Sequence, residues 1–236
     1  MFRVVRLKTI ITIISIILIS VILSLGIVAV SEINQSPYLP YTIVLDAGHG
    51  GRDDGCSGVS TGVTESSINL EIVMKLQTLL EDFGFNVVLT RTNANGLYDD
   101  NADNFKVSDM EKRIEIIESA NADFVVSIHQ NSYPNSHAIG AQAFWQEGDI
   151  NSENLAKSIQ SMLVSQIPNA RSEANYGDYY ILKESKTHAV LIECGYLTNP
   201  EEEHLLTSED YQNKLSYAIT CGILKYFDMR DHISDN

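Results

Sequence analysis

Tyr41-Thr42-Ile43-Val44-Leu45-Asp46-Ala47-Gly48-His49-Gly50-Gly51 is a short apolar run that ends in a histidine set among glycines. The run has no polar alternation, so it predicts a strand covered on both faces, as in a parallel sheet. The glycines let the backbone leave the sheet and approach a ligand closely. Two later stretches have the same form. Val125-Val126-Ser127-Ile128-His129-Gln130-Asn131 ends in a second histidine, and Val190-Leu191-Ile192-Glu193-Cys194-Gly195 ends in a glutamate. Runs at 85–89 and, more weakly, 141–145 add two further strands.

Helical patterns lie between these runs. Residues 64–83 place Ile68, Ile72, Leu76, Leu79 and Phe83 on one stripe, and Gly84 stops it. Ser108 and Glu111 form a capping-box pattern that opens a helix running to about residue 120. A third helix covers 152–167 before Pro168, and a fourth covers 209–227. Residues 93–107 and 169–178 read as loops, and 229–236 as a frayed tail. Strand and helix alternate, which predicts an α/β fold with helices on both faces of a largely parallel sheet.

The first thirty residues are unlike the rest. Arg3, Arg6 and Lys8 precede an uncharged apolar run at 9–30, which as a helix would span about 33 Å, enough for a bilayer core. Basic residues at its leading end place the C-terminal part of the chain outside the cytoplasm. A secretory signal is the rival reading, with Ala29-Val30-Ser31 as its weak cleavage site. Length favours an uncleaved anchor. Residues 31–40 then read as a linker, and 41–228 as one domain with a sizeable core.

The chain carries a net charge of −15; without the three basic residues of the leading segment the exported part carries −18. That acidity argues against nucleic acid and anionic lipid headgroups as partners. Three cysteines, Cys56, Cys194 and Cys221, form no CxxC and imply no disulfide framework.

If the strands are parallel, His49, His129 and Glu193 meet at the carboxyl edge of the sheet, where open α/β sheets bind ligands. Glu65 opens the helix after the first strand, so its first turn faces the same edge. Two histidines and a carboxylate make the open zinc site of metallohydrolases, with the fourth position left to water. A second carboxylate is then needed to carry a proton to the leaving amine. This assigns His49, Glu65 and His129 to one zinc ion and Glu193 to the proton. Taken singly, each has a plainer role: a strand-end histidine facing solvent, a glutamate at a helix dipole, a buried ion-pair member.

The same segments carry a resemblance. Leu45-Asp46-Ala47-Gly48-His49-Gly50-Gly51 with Gly62-Val63-Thr64-Glu65 resembles the opening of the zinc-dependent N-acetylmuramoyl-L-alanine amidases. Ser127-Ile128-His129-Gln130-Asn131 resembles their second metal motif, and Ile192-Glu193-Cys194-Gly195-Tyr196-Leu197-Thr198-Asn199-Pro200-Glu201-Glu202 their catalytic-glutamate motif. The resemblance covers about residues 41–228. It implies a mixed six-stranded sheet flanked by helices, and hydrolysis of the bond between the lactyl group of N-acetylmuramic acid and L-alanine in peptidoglycan. Where the family commonly has Pro-Gly-Ala after Asp53, this chain has Asp54-Gly55-Cys56, which brings a thiol near the site. Compact size with a leading apolar segment resembles the amidases of the spore cortex that permit germination. Nothing in the residues identifies an activating protein. The rival functions are a cell-wall zinc peptidase cutting within the stem peptide and a non-catalytic peptidoglycan-binding module; an intact proton carrier at Glu193 argues against the second.

Weaker candidates surround this set. Arg91, at the end of the second strand, is a candidate for binding a stem-peptide carboxylate, against the plainer role of tying down its loop. Asn131 is a candidate donor to substrate or to a metal ligand. Arg113 reads as structural, and Glu201-Glu202-Glu203 as a solvated helix start. His137, His188, His204 and His232 have no partner pattern.

Overall fold

Strand β1 (Thr42–Ala47) is buried along almost its whole length, as an unbroken apolar run requires of a central strand. In the computed structural model, which describes residues 16–20 and 39–234, with side chains of the last helix as far as Asp228, it lies inside a six-stranded sheet. The other strands are β2 (Asn86–Leu89), β3 (Phe124–Asn131), β4 (Gln142–Trp145), β5 (Asn175–Tyr176) and β6 (His188–Tyr196). Their order is β2-β1-β3-β6-β4-β5. The first four in this order are mutually parallel; β4 pairs antiparallel with β6 and parallel with β5. The parallel core means that β1, β3 and β6 all deliver their carboxyl ends to one edge.

Alternate residues of each strand feed two separate cores. Ile43, Leu45, Val126, Ile128, Val190 and Ile192 face helices α1 (Glu65–Asp82), α3 (Ile150–Gln166) and α6 (Glu209–Ser234). Val44, Val125, Ala189 and Leu191 face the other way, against Ile117 of α2 (Phe105–Ser119) and Ile181 and Leu182 of α4 (Tyr180–Glu184). A strand buried on both sides in this manner cannot slip register by one residue without exchanging its two cores. The buried stripe of α1 is Ile68, Ile72, Val73, Leu76 and Leu80, a 3.6-residue period; Phe83 falls outside it as the exposed C-cap.

Several local expectations need correction. Helix α2 begins three residues early, because the Asn104 side chain caps it by accepting from the Lys106 and Val107 N–H groups. Ser108 instead accepts from the Asp99 N–H at 3.0 Å. Helix α6 continues through the expected frayed tail to Ser234. Within the expected loop at 169–178 lies β5, whose two residues are too few to give a period. Helix α5 (Pro200–Leu206) does start at the acidic triplet, capped by Asn199 with Pro200 in its first turn. Only Glu201 is solvated there. Glu202 accepts from the Gly140 and Tyr196 N–H groups, and Glu203 from Ser60, Thr61 and the Thr61 hydroxyl, so both are buried loop ties. His188 does have partners: it pairs with Asp149 at 2.8 Å and Asn151 at 3.0 Å at the opposite edge of the sheet.

Residues 1–38 form a separate unit. In it residues 16–20 are helical, with the Ser20 hydroxyl donating to the Ile17 carbonyl. The expected membrane segment at 9–30 lies almost wholly outside the described residues, as does most of the linker. Among the described residues no helix is long and apolar enough to cross a membrane.

Candidate metal centre

Beyond β1 the chain turns sharply, and His49 takes a left-handed conformation with φ of 62°. A bulky residue adopts that conformation only where its surroundings impose it. Here the Gly50 and Asp53 backbones bond to each other in both directions, and the Arg113 guanidinium donates to the His49 carbonyl. The His49 ring is fixed as well: its Nδ1 lies 2.9 Å from Asp53 Oδ2, leaving Nε2 to face inward. Lys106 holds the other Asp53 oxygen at 2.8 Å. A carboxylate behind a histidine sets its tautomer and orientation for metal binding.

Glu65, first residue of α1, is 4% exposed. Its Oε2 accepts from the Cys56 N–H at 2.9 Å, and its Oε1 from the Gln130 N–H at 3.1 Å. That same Oε1 lies 3.2 Å from His49 Nε2 and 2.9 Å from His129 Nδ1. The three side chains offer one ligand atom each, all within 4.8 Å of one another. Zinc with bonds of about 2.0–2.2 Å in a tetrahedron separates its ligand atoms by about 3.3 Å. The two measured edges match that spacing to within a few tenths of an ångström, so the donor set fits such an ion in both chemistry and size.

Two glycines make this convergence sterically feasible. A Cβ on Gly48 would sit 2.3 Å from the His129 ring, and one on Gly55 would sit 2.5 Å from Glu65 Oε2 and 2.8 Å from His49 Cδ2. Burial works against charge on Glu65, but the hydrogen bonds and charges of His129 and His49 outweigh it and hold the acid well below the ordinary range. Burial likewise lowers His49, yet Glu65 and Asp53 raise it to about 9.

Glu193 pairs in register with His129 across β6 and β3, one strand spacing of about 4.8 Å away. It is buried, and its Oε2 has no hydrogen-bond partner among the described residues. Burial, with the Glu65 charge adding to it, pushes its pKa up to about 7 against the opposing effects of His129, Tyr179 and His49. Tyr179 lies near this carboxylate, and burial together with the Glu193 charge pushes its hydroxyl pKa up. A cavity of about 290 Å³ opens beside the two histidines, lined also by Asp53, Lys106, Met110 and Tyr180.

The remaining predicted residues fall elsewhere. Arg91 is 4% exposed and donates to four carbonyls, those of Ala47, Asn93, Gly48 and Ser66. These contacts are those of a loop tie, the plainer of the two roles its sequence position offers: the guanidinium is directed at backbone. Asn131 is half-buried at the end of β3; its carbonyl accepts from Leu197, and its side chain makes no hydrogen bond among the described residues. Cys56 turns its thiol towards the Gln130 and Asn131 carbonyls, and burial pushes that thiol's pKa up, so it stays a neutral loop residue. Sequence reasoning missed the parts played by Asp53, Asn69, Gln130 and Tyr179. Asp53 and Asn69 each follow a candidate ligand by four residues, but that spacing does not say what either side chain meets.

Residues 43–225 match the family described as N-acetylmuramoyl-L-alanine amidase. The chain belongs to this family. It is 34% identical over 190 residues to the germination-specific N-acetylmuramoyl-L-alanine amidase of Bacillus subtilis, covering 78% of this chain and 79% of that one. Among solved structures it is similar to the CwlD amidase from Clostridioides difficile in complex with the GerS lipoprotein. That likeness has 40% identity and a TM-score of 0.77, over 80% of this chain and 99% of that one. It is also similar to the catalytic domain of the CwlV amidase from Bacillus (Paenibacillus) polymyxa var. colistinus, at 31% identity and a TM-score of 0.71, over 80% and 98% of the two chains. The span matched to the amidase family takes in His49, Glu65, His129 and Glu193 and nearly all of the sheet.

Proposed function

We propose that this amidase is a zinc enzyme that hydrolyses the amide joining the lactyl group of N-acetylmuramic acid to L-alanine, acting on spore-cortex peptidoglycan outside the cytoplasm. The observation that carries the proposal is the triangle of His49, Glu65 and His129 with Glu193 one strand away. His49, Glu65 and His129 would hold the ion, with His49 Nε2 and His129 Nδ1 both facing Glu65 Oε1. When bound, zinc supplies Lewis-acid polarisation of the carbonyl and a water acidic enough to attack at neutral pH.

The protein's own groups do the rest. Glu193 takes the proton of the attacking water and delivers it to the alanine nitrogen as the C–N bond breaks. The water oxygen ends on the lactyl carboxyl group, the stem peptide leaves as a neutral amine, and the water's second proton is lost to solvent as that carboxyl ionises. A carboxyl group with a pKa near neutrality suits both halves of this transfer. Asp53 keeps His49 in the tautomer that binds, and the cavity beside the histidines receives substrate. The spore assignment is supported by the germination-specific relative. The relative solved with a lipoprotein supports a protein partner for this chain as well. The apolar segment at 9–30 would hold the enzyme at the outer face of the membrane.

The test is removal and return of the metal. Dialysis of the purified chain against a chelator should abolish release of stem peptide from peptidoglycan, and one equivalent of zinc should restore it. Undiminished hydrolysis by fully metal-stripped protein would overturn the proposal.

A further inference from the structure

We propose that Asn69 is a positioning residue that sets the mutual register of all three metal ligands; this rests on the metal reading above. Asn69 lies one helical turn after Glu65 on α1, so both side chains project from the same face. It is wholly shielded from solvent. Its Nδ2 donates to the Gly48 carbonyl at 3.1 Å and to Glu65 Oε1 at 3.4 Å. Its Oδ1 accepts from Gln130 Nε2 at 3.0 Å. Gly48 immediately precedes His49, and Gln130 immediately follows His129. One side chain therefore joins β1, α1 and β3 at the neighbour of each histidine and at the carboxylate itself.

The orientation of this amide is determined by its partners. An amide presents donors on one side and an acceptor on the other. With Gln130 donating to Oδ1, the NH₂ group can only face Gly48 and Glu65. Gln130 acts twice, because its backbone N–H also donates to Glu65 Oε1 at 3.1 Å. The Gln130 Oε1 is buried with no hydrogen-bond partner among the described residues, and turning that amide over would set two oxygens face to face at Asn69 Oδ1. Other contacts cover the remaining atoms: Cys56 N–H holds Glu65 Oε2, and Arg91 reaches the Gly48 carbonyl from another side. Asn69 and the Gln130 N–H together place Oε1, the atom that faces both histidines, and Asn69 also holds Gln130 through its amide. A neutral donor orients that oxygen without competing for it as a cation would.

Zinc affinity, measured by competition of the full chain with a chelator, tests this directly. Asn69→Ala should bind Zn²⁺ about 10- to 100-fold more weakly, the usual consequence of losing an outer partner of a ligand. Gln130→Met, which releases the amide, should weaken it several-fold. Ile72→Val, buried on the same helix but outside this network, serves as the control and should bind zinc as the parent does. Thermal unfolding of the zinc-free proteins reports separately on the fold, and if Asn69→Ala does not fold, Gln130→Met carries the test. Affinities of both network variants within about twofold of the parent would overturn the proposal. So would an equal loss in Ile72→Val, since the effect would then be one of general stability. Failure of the parent itself to bind zinc would instead overturn the metal reading on which this rests.

Discussion

Glu193 is a carboxylate placed where burial, more than pairing, governs its proton. Replacing it with glutamine keeps its shape and removes its capacity to accept and return that proton. Glu193→Gln should therefore fold and keep its zinc while hydrolysis falls by about 10²- to 10⁴-fold. Metal content and rate must be measured on the same sample: lost zinc would recast Glu193 as a ligand, and an undiminished rate would remove it from the chemistry. The four positions that meet at the sheet edge were legible because three of them end apolar runs and the fourth opens a helix. The environment of Arg91 was not legible. A charged residue at a strand end reads the same whether its guanidinium faces a cavity or turns back onto carbonyls, and here the turn after β1, the loop after β2 and the first turn of α1 together bring four carbonyls within reach. Asn69 was passed over for a related reason: a polar residue on an apolar helix stripe gives no sign of what it meets.

At the scale of elements, one buried ion pair joins the sheet to α2. Arg113 Nη1 donates to Asp46 Oδ1 at 2.6 Å, with both residues 1% exposed, and Arg113 Nε reaches Asp109 at 2.6 Å. Ser127 on β3 and Thr90 after β2 complete the shell of Asp46. Burial alone would raise the Asp46 pKa, but Arg113 and these hydroxyls overcome it and hold it at about 2, against 3.8 in the unfolded chain. A depressed carboxylate stabilises the fold above its unfolded pKa, and that contribution is lost as pH falls from about 4 towards 2. Its size is on the order of 2 kcal/mol. Urea unfolding of Asp46→Asn should thus lose less stability than the parent between pH 5 and pH 2.5, and equal losses would contradict the assignment. The strands and long helices were legible from apolar period alone. What the period did not give were the ends: the Asn104 cap pre-empted Ser108, and β5 and α4 are too short to repeat a pattern.

The sequence as a whole joins an acidic stretch to a first segment that is basic and then apolar. If residues 9–30 anchor it, the chain should stay with membranes through a high-salt wash, because apolar insertion is not screened by ions. A mature amino terminus near Ser31 would instead identify a cleaved signal. Alternation of strands and helices was enough to place the fold class. The antiparallel course of β4 was not, since a short apolar run carries no direction. The central claim concerns which bond this architecture cuts, and mass spectrometry of its products answers that most directly. Purified spore-cortex peptidoglycan digested with the zinc-loaded chain should release whole stem peptides with a free L-alanine amino terminus, leaving glycan strands whose muramic acids bear bare lactyl carboxylates. Glycan strands that still carry L-alanine, with peptide fragments cut further along the stem, would contradict it.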